Sequence, residues 1–125
     1  MVGVILNLPP SVRLYVATEP VDMRRSFDGL SALVEHHLEQ DPLSGHLFCF
    51  FNKRRDKVKL LWFDHGGYAL FYRRLERGCF RPPEARQGER AVTMRAGELA
   101  LILEGIDLRG ARRRREWRRE EKRAA

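Results

Sequence analysis

Three strand-like runs follow one another between residues 46 and 75, and they constrain the fold more than any other feature of this chain. Run 46–52 is rich in aromatic residues, and runs 58–64 and 68–75 combine Val, Leu, Trp, Phe and Tyr, residue types that favour strands. The two connections contain only five and three residues. Connections this short fit antiparallel hairpins, and Gly66-Gly67 supplies the positive φ that a tight turn needs. A meander of three strands is therefore predicted.

Two helical patterns and two further strands surround this meander. Residues 12–17 and 91–93 have the composition of short strands. Apolar residues three and four positions apart predict two helices. The first helix contains Phe27, Leu30, Leu33, Val34 and Leu38, and the second contains Leu99, Ile102, Leu103 and Ile106. Asp22 is expected to cap the first helix, because a carboxylate accepts free backbone N–H groups at a helix start.

These elements predict an α+β fold. We expect a small, mainly antiparallel sheet of four to five strands with two helices packed on one face, plus a basic C-terminal arm. A chain of 125 residues fits one domain. Residues 1–108 are accordingly assigned to a single α+β domain, and residues 109–125 to the arginine-rich arm.

The hairpin formed by runs 58–64 and 68–75 can be sorted into two faces, because directly opposed residues share a face. The predicted core face carries Val58, Leu60, Trp62, Ala69, Phe71 and Leu75, with Arg73 as its sole exception. The other face mixes cations with aromatic and aliphatic residues, namely Lys57, Lys59, Leu61, Phe63, Tyr68, Leu70, Tyr72 and Arg74. We expect the helices to cover the first of these faces.

Positive charge is concentrated in the arm. Residues 109–125 hold nine basic and three acidic residues, a net charge of +6, whereas the whole chain carries +7. Arginine suits phosphate oxygens because its planar guanidinium donates several hydrogen bonds and stays charged. Contact with nucleic acid is the favoured interpretation, since neutralised phosphates release counterions. A solvated tail and an acidic protein partner are the alternatives.

Hairpin geometry predicts a second group of cations. The basic loop 53–57 and the end of run 68–75 should meet at one end of the sheet, so Arg73, Arg74 and Arg77 are expected near the loop. Tyr72 could stack on a base there, although charged hairpin tips are often simply solvated. The candidate nucleic-acid-binding residues are Lys53, Arg54, Arg55, Lys57, Lys59, Tyr72, Arg74, Arg77, Arg112, Arg113, Arg114, Arg115, Arg118 and Arg119.

The sequence offers little support for catalysis. None of the four histidines belongs to a zinc motif, and no phosphate-binding glycine motif is present. Carboxylates such as Asp64 and Glu76 could in principle form a small metal-dependent nuclease, but a turn and a salt bridge with neighbouring arginines explain them more simply. We therefore expect no enzyme, no metal and no cofactor. The start of the chain does not resemble a signal peptide and no membrane span is evident, which predicts a cytoplasmic protein without a membrane partner.

Several segments together are similar to a known family. They are residues 13–17, 22–30, 41–48, 58–64, 70–78 and 103–107. The motifs Asp22-Met23-Arg24-Arg25 and Leu103-Glu104-Gly105-Ile106-Asp107 are its most specific parts. In this order the segments resemble the TnpB accessory proteins, the second open reading frame products of the insertion-sequence-66 family of bacterial transposable elements. These are unrelated to the RNA-guided nucleases that share the name.

The resemblance implies an auxiliary role in transposition, in which a separate transposase cuts and joins DNA. The family signature falls here on Asp22, Arg24, Arg25, Trp62, Asp64, Glu76, Gly78, Glu104 and Asp107, and it also includes Arg74. We expect a non-catalytic protein that binds DNA, the transposase of the same element, or both, and that associates with the nucleoid when bound to DNA. The alternatives are a protein–protein adaptor for the transposase without DNA contact and, less favoured, a small nuclease.

Overall fold

The computed structural model of the chain describes residues 8–104 and the backbone of residues 106–107 and 112–113. Its main feature is a five-stranded sheet with strands in the order β4-β3-β2-β1-β5. The strands are β1 (Leu14–Ala17), β2 (Leu47–Phe51), β3 (Lys57–Asp64), β4 (Gly67–Arg74) and β5 (Ala91–Met94). The helices are α1 (Phe27–His36) and α2 (Ala96–Leu103), and a separate small ladder pairs β6 (Ile106–Asp107) with β7 (Arg112–Arg113).

Most neighbouring strands in the main sheet are antiparallel, but β1 and β2 run parallel. A parallel pair needs a long crossover connection, and α1 lies within the connection here. The predicted α+β class and the mainly antiparallel sheet are therefore confirmed, and so is the short strand near residue 91.

The two helices lie against opposite faces of the sheet, so the prediction that both pack on one face was wrong. Helix α1 buries Leu30 and Val34 against Phe48 and Phe50 of β2. Helix α2 instead packs on the face that carries Leu47, Cys49, Phe51, Val58 and Leu60. The physical reason lies in β2, whose five residues are all apolar and all buried. A strand without polar alternation has two apolar faces, and each must be covered.

The β3–β4 hairpin has the register that the sequence predicts. Leu60 pairs with Phe71 and Lys59 pairs with Tyr72, which confirms the sorting of residues into two faces. The turn itself differs from the prediction, because Gly67 already belongs to β4. The turn residues are His65 and Gly66, with φ of 49° and 79°, and positive φ at both central positions is what a type I′ turn requires.

Two helix boundaries also differ from the prediction. Helix α1 is preceded by Ser26 at its N-cap position, so Asp22 lies outside the first turn and does not cap the helix. Helix α2 ends at Leu103, and Ile106 belongs to β6 instead of continuing the helical face.

Candidate nucleic-acid interface

One end of the main sheet gathers several basic segments. The parallel strands β1 and β2 both finish there, β3 begins there, and β4 ends there with Arg74 paired to Lys57. We call this region the basic end, and it consists of Lys53, Arg54, Arg55, Lys57, Arg74 and Arg77.

Polar side chains fix the shape of the loop between β2 and β3. The amide Nδ2 of Asn52 donates to Asp56 Oδ1 at 2.6 Å, while Asn52 Oδ1 accepts the backbone N–H of Lys57 at 3.0 Å. The bond from Asn52 lowers the pKa of Asp56. Arg55 adopts a φ of 60°, a backbone conformation that residues other than glycine rarely adopt. Hydrogen bonds therefore fix the backbone of the loop that carries these cations.

Sequence analysis did not single out Asn52 or Asp56. The available signal was an asparagine at the end of an apolar strand, followed four residues later by an aspartate inside a basic loop. Both residue types hydrogen-bond locally to turn backbone.

The segment after β4 is tied to the same loop. The backbone N–H of Leu75 donates to Asp56 O at 2.7 Å, and that of Phe80 donates to Arg55 O at 2.6 Å. Phe80, which sequence analysis also missed, is fully buried and its ring lies 5.6 Å from that of Phe51. These contacts confirm that residues distant in sequence, including the segment with Arg77, lie beside loop 53–57.

Arg73 and Arg74 have different surroundings. Arg74 Nη2 lies 2.8 Å from Glu76 Oε1, which confirms the expected ion pair and raises the pKa of Arg74. Arg73 Nη1 donates to the carbonyl of Leu103 at 3.2 Å, at the C-terminus of α2, where the helix dipole favours a cation. The expectation that Arg73 joins the basic loop is therefore corrected.

Lys59 also has a different role from the one predicted. It is 6% exposed, and its Nζ donates to the carbonyls of Met23 and Arg25 at 2.7 and 2.6 Å. Burial lowers the pKa of this ammonium, and the Asp22 carboxylate opposes the shift. The assignment of Lys59 as a nucleic-acid contact is corrected, because its ammonium donates its hydrogen bonds to backbone carbonyls of the segment that precedes α1.

That segment lies beside the basic end. The backbone N–H of Val21 donates to Phe51 O at 2.9 Å, which holds the segment at the end of β2. Asp22 accepts the backbone N–H of Arg24 at 2.9 Å, and Arg24 Nη2 lies 2.7 Å from Asp22 Oδ2. The bonds from Arg24 lower the pKa of Asp22 to about 2. The signature pair Asp22 and Arg24 therefore closes a small local turn.

An open groove of about 590 Å³ separates this segment from the basic loop. Its lining includes Met23 and Arg24 of the segment, Lys53 and Arg54 of the loop, and Tyr72, of which 49% of the surface is exposed. Three candidate cations of the body, Lys53, Arg54 and Lys57, thus line the same groove as the candidate aromatic residue Tyr72.

The cations of the loop form no salt bridges among the residues that the structure describes, although the charges of Arg54 and Lys57 help to lower the pKa of Asp56 in the same loop. Within that part of the chain, no ion pair involves Lys53, Arg54, Lys57 or Arg77. Lys53, Arg54, Arg55 and Arg77 are also exposed. The arrangement can therefore receive an anion without first breaking a salt bridge.

The other signature residues are spread over the molecule. Trp62 packs in the core on the α2 face, and Asp64 contacts His65 at the far end of the sheet. Gly78 has a φ of 76°, which favours glycine. Glu104 terminates α2, and the backbone of Asp107 pairs with that of Arg112. The signature does not form a single cluster.

The arm is described only at Arg112 and Arg113, whose backbones form β7. The candidate residues Arg114, Arg115, Arg118 and Arg119 lie outside the described residues. Their contribution to binding stays a prediction.

The part of the chain that the structure describes holds neither a group of metal ligands nor a membrane-spanning helix. Within residues 8–104, no three His, Cys, Asp or Glu side chains are grouped so that they could hold a metal ion. Neither described helix is long and apolar enough to cross a membrane.

Comparison with known proteins gives one family. Residues 12–113 match the family model described as IS66 Orf2 like protein. The uncharacterized protein y4hO of Sinorhizobium fredii (strain NBRC 101917 / NGR234) is 38% identical over 99 residues, which cover 79% of this chain and 84% of that protein. The uncharacterized protein y4jC of the same organism is 40% identical over 96 residues, covering 77% and 80%. No solved structure matches the chain significantly. The chain belongs to the IS66 Orf2-like family.

Proposed function

We propose that this protein is a non-catalytic accessory factor that binds the DNA of its insertion sequence through the basic end. Membership in the IS66 Orf2-like family gives it an accessory role in transposition. The observation that carries the proposal is the set of exposed cations on the loop between β2 and β3, which form no salt bridge among the described residues. Such cations match phosphate oxygens in charge and in hydrogen-bonding capacity.

The fixed shape of the loop supports this proposal. Ordering a long, flexible side chain at an interface costs roughly 0.5–1.5 kcal/mol. The hydrogen bonds of Asn52 and Asp56 already order the backbone that carries Arg54 and Arg55, so binding would have to order only the side chains. Phosphate contacts of this kind position a protein on DNA without reading its sequence.

In this proposal the arm supplies further positive charge for DNA binding. Residues 109–125 carry a net charge of +6, and we assign them to further phosphate contacts. The family match continues to residue 113, so the beginning of the arm is part of the family pattern. We place the protein in the bacterial cytoplasm and, when bound to DNA, at the nucleoid.

The transposase of the same element is the second proposed partner. An adaptor that assembles the transposase without touching DNA is the competing function, and one experiment separates the two. Labelled DNA carrying the element end is titrated with the protein at low salt, with and without the transposase. We expect binding by the protein alone, because electrostatic attraction to phosphates does not need a second protein.

A matched pair of variants tests where the DNA binds. Arg54→Gln removes one cation from the basic end, whereas Arg13→Gln removes one from the opposite end of the sheet, next to the start of β1. We expect only the first to weaken binding. If the protein binds DNA only when the transposase is present, the adaptor function is favoured. If Arg54→Gln and Arg13→Gln weaken DNA binding equally, the basic end is not the DNA-binding site.

A further inference from the structure

We infer that the groove beside Tyr72 receives an unpaired base of the bound DNA. The inference rests on the proposed function and makes it more specific, because it assigns single-stranded or locally opened DNA to this site. It concerns the groove that is lined by Met23, Arg24, Lys53 and Arg54 together with Tyr72.

Tyr72 is exposed at the edge of the sheet. It belongs to β4, which has β3 as its only neighbour in the main sheet, and about half of its surface is accessible. The other tyrosines among the described residues are engaged. Tyr15 stacks on Phe48, and Tyr68 lies edge-on to Phe63 at 5.3 Å. Tyr72 is thus the tyrosine that leaves ring surface available to a ligand.

Lys59 supports the ring of Tyr72 from within the sheet. The Lys59 ammonium lies 4.7 Å from the ring centroid, a distance typical of a cation–π contact. The same ammonium is held by two backbone carbonyls. Since the supporting cation is fixed and buried, the ring is ordered before any ligand arrives, and less entropy is lost on binding.

The groove combines the two features that unpaired nucleotides need. Lys53, Arg54 and Lys57 supply positive charge at the rim for the phosphates, and Tyr72 supplies an aromatic surface for the base. Sites for single-stranded nucleic acid combine these same elements. The bases of an intact duplex are already stacked on each other, so a contact with phosphates alone would not use the exposed ring surface of Tyr72. The volume of about 590 Å³ also falls in the range of about 300–1,000 Å³ for ligand sites.

The experiment compares two DNA probes of about 12 nucleotides, a length within the range covered by single-strand sites. One probe is a fluorescent single strand with a central 2-aminopurine, and the other is the same sequence as a duplex. Both are titrated with wild type, Tyr72→Leu, Tyr72→Phe and Phe27→Leu. Phe27 is the control because its side chain is similarly exposed, at 42%, and does not line the groove.

We expect Tyr72→Leu to weaken single-strand binding by about 5- to 150-fold, the loss of one stacked base, and to change duplex binding by less than about 2-fold. Tyr72→Phe should retain both the affinity and the quenching of 2-aminopurine, and Phe27→Leu should behave as wild type. Circular dichroism checks that each variant is folded.

Different results separate the inference from the proposed function. If wild type binds both probes and Tyr72→Leu binds the single strand as tightly as wild type, the inference is wrong and DNA binding stands. An equal loss of affinity for both probes would also overturn the inference. So would a competition experiment in which an acidic peptide displaces the single strand at a lower concentration than unlabelled DNA does. If wild type binds neither probe at low salt, the proposed function fails and the inference fails with it.

Discussion

At the scale of single residues, Lys59 joins the segment before α1 to the sheet, and Asp22 closes a turn within that segment. Lys59 donates to the carbonyls of Met23 and Arg25, and Asp22 holds Arg24. These contacts determine where the segment before α1 lies relative to the basic loop. The Asp-Met-Arg-Arg motif therefore has a structural role that can be tested separately from binding.

Replacing Lys59 by methionine should lower the free energy of unfolding by about 2–3 kcal/mol, because hydrogen bonds to a charged group are lost and two carbonyls lose their partner. Lys57→Met is the matched control on the same strand and face. The Lys57 side chain has no ion pair among the described residues, so its replacement should cost less than about 0.5 kcal/mol. Urea denaturation measures both. Similar losses for the two variants would contradict the assigned role of Lys59.

Asp22 should make stability depend on pH in acid. Its folded pKa of about 2 lies below the ordinary value of 3.8. The unfolded state therefore binds a proton first as the pH falls, and the stabilisation by Asp22 is lost between about pH 4 and pH 2. We expect Asp22→Asn to be less stable than wild type at neutral pH, with a difference that closes across this window. Chemical denaturation over that pH range measures it, and a constant difference down to pH 2 would be inconsistent with the Asp22–Arg24 pair.

At the scale of elements, the basic loop depends on the irregular segment after β4. Phe80 inserts a fully buried ring beside Phe51, and its backbone N–H bonds the carbonyl of Arg55. Phe80 therefore stabilises both the hydrophobic core and the loop of the proposed interface.

Phe80→Ala should lower the free energy of unfolding by about 3–5 kcal/mol, the usual cost of deleting a buried phenylalanine. Phe27→Ala, at an exposed ring, is the control and should cost much less. Thermal or urea melts measure the difference. A loss for Phe80→Ala no larger than for Phe27→Ala would show that the ring does not anchor this segment.

The sequence predicted elements whose signal is local. The β3–β4 register follows from opposed residues on two short strands with a tight turn between them. The parallel pairing of β1 with β2 could not be read in this way, because it joins residues 33 positions apart, such as Leu14 and Leu47. The second buried face could have been predicted, since residues 47–51 show no polar alternation.

The same distinction holds for the candidate site. The meeting of loop 53–57 with the end of β4 follows from hairpin geometry alone. The burial of Lys59 does not, because its partners Met23 and Arg25 lie 36 and 34 residues earlier in the chain. Periodicity assigns a side chain to a face of the sheet, but it does not show which loop covers that face.

At the scale of the whole molecule, charge is distributed unevenly. Residues 1–108 contain 15 basic and 14 acidic residues, whereas the arm holds most of the net charge. Within the body, the strand directions bring basic residues to one end of the sheet. We propose that the body positions DNA and the arm adds affinity. Because residues 112–113 pair with residues 106–107, a truncation that leaves this ladder intact removes residues 114–125.

The most direct test of this account is the salt dependence of DNA binding, measured by fluorescence anisotropy on duplex DNA. Three proteins are compared: the full chain, the truncation that lacks residues 114–125, and the full chain with Lys53→Gln and Arg54→Gln. For the full chain we expect affinity to fall about 10³-fold or more between 50 and 200 mM salt if about six phosphates are neutralised. The double substitution should reduce the slope of log K against log salt by roughly 2. The truncation should reduce this slope by more than the double substitution does, and it should leave the circular dichroism of the body unchanged. Affinity and slope that are the same for all three proteins would contradict the account.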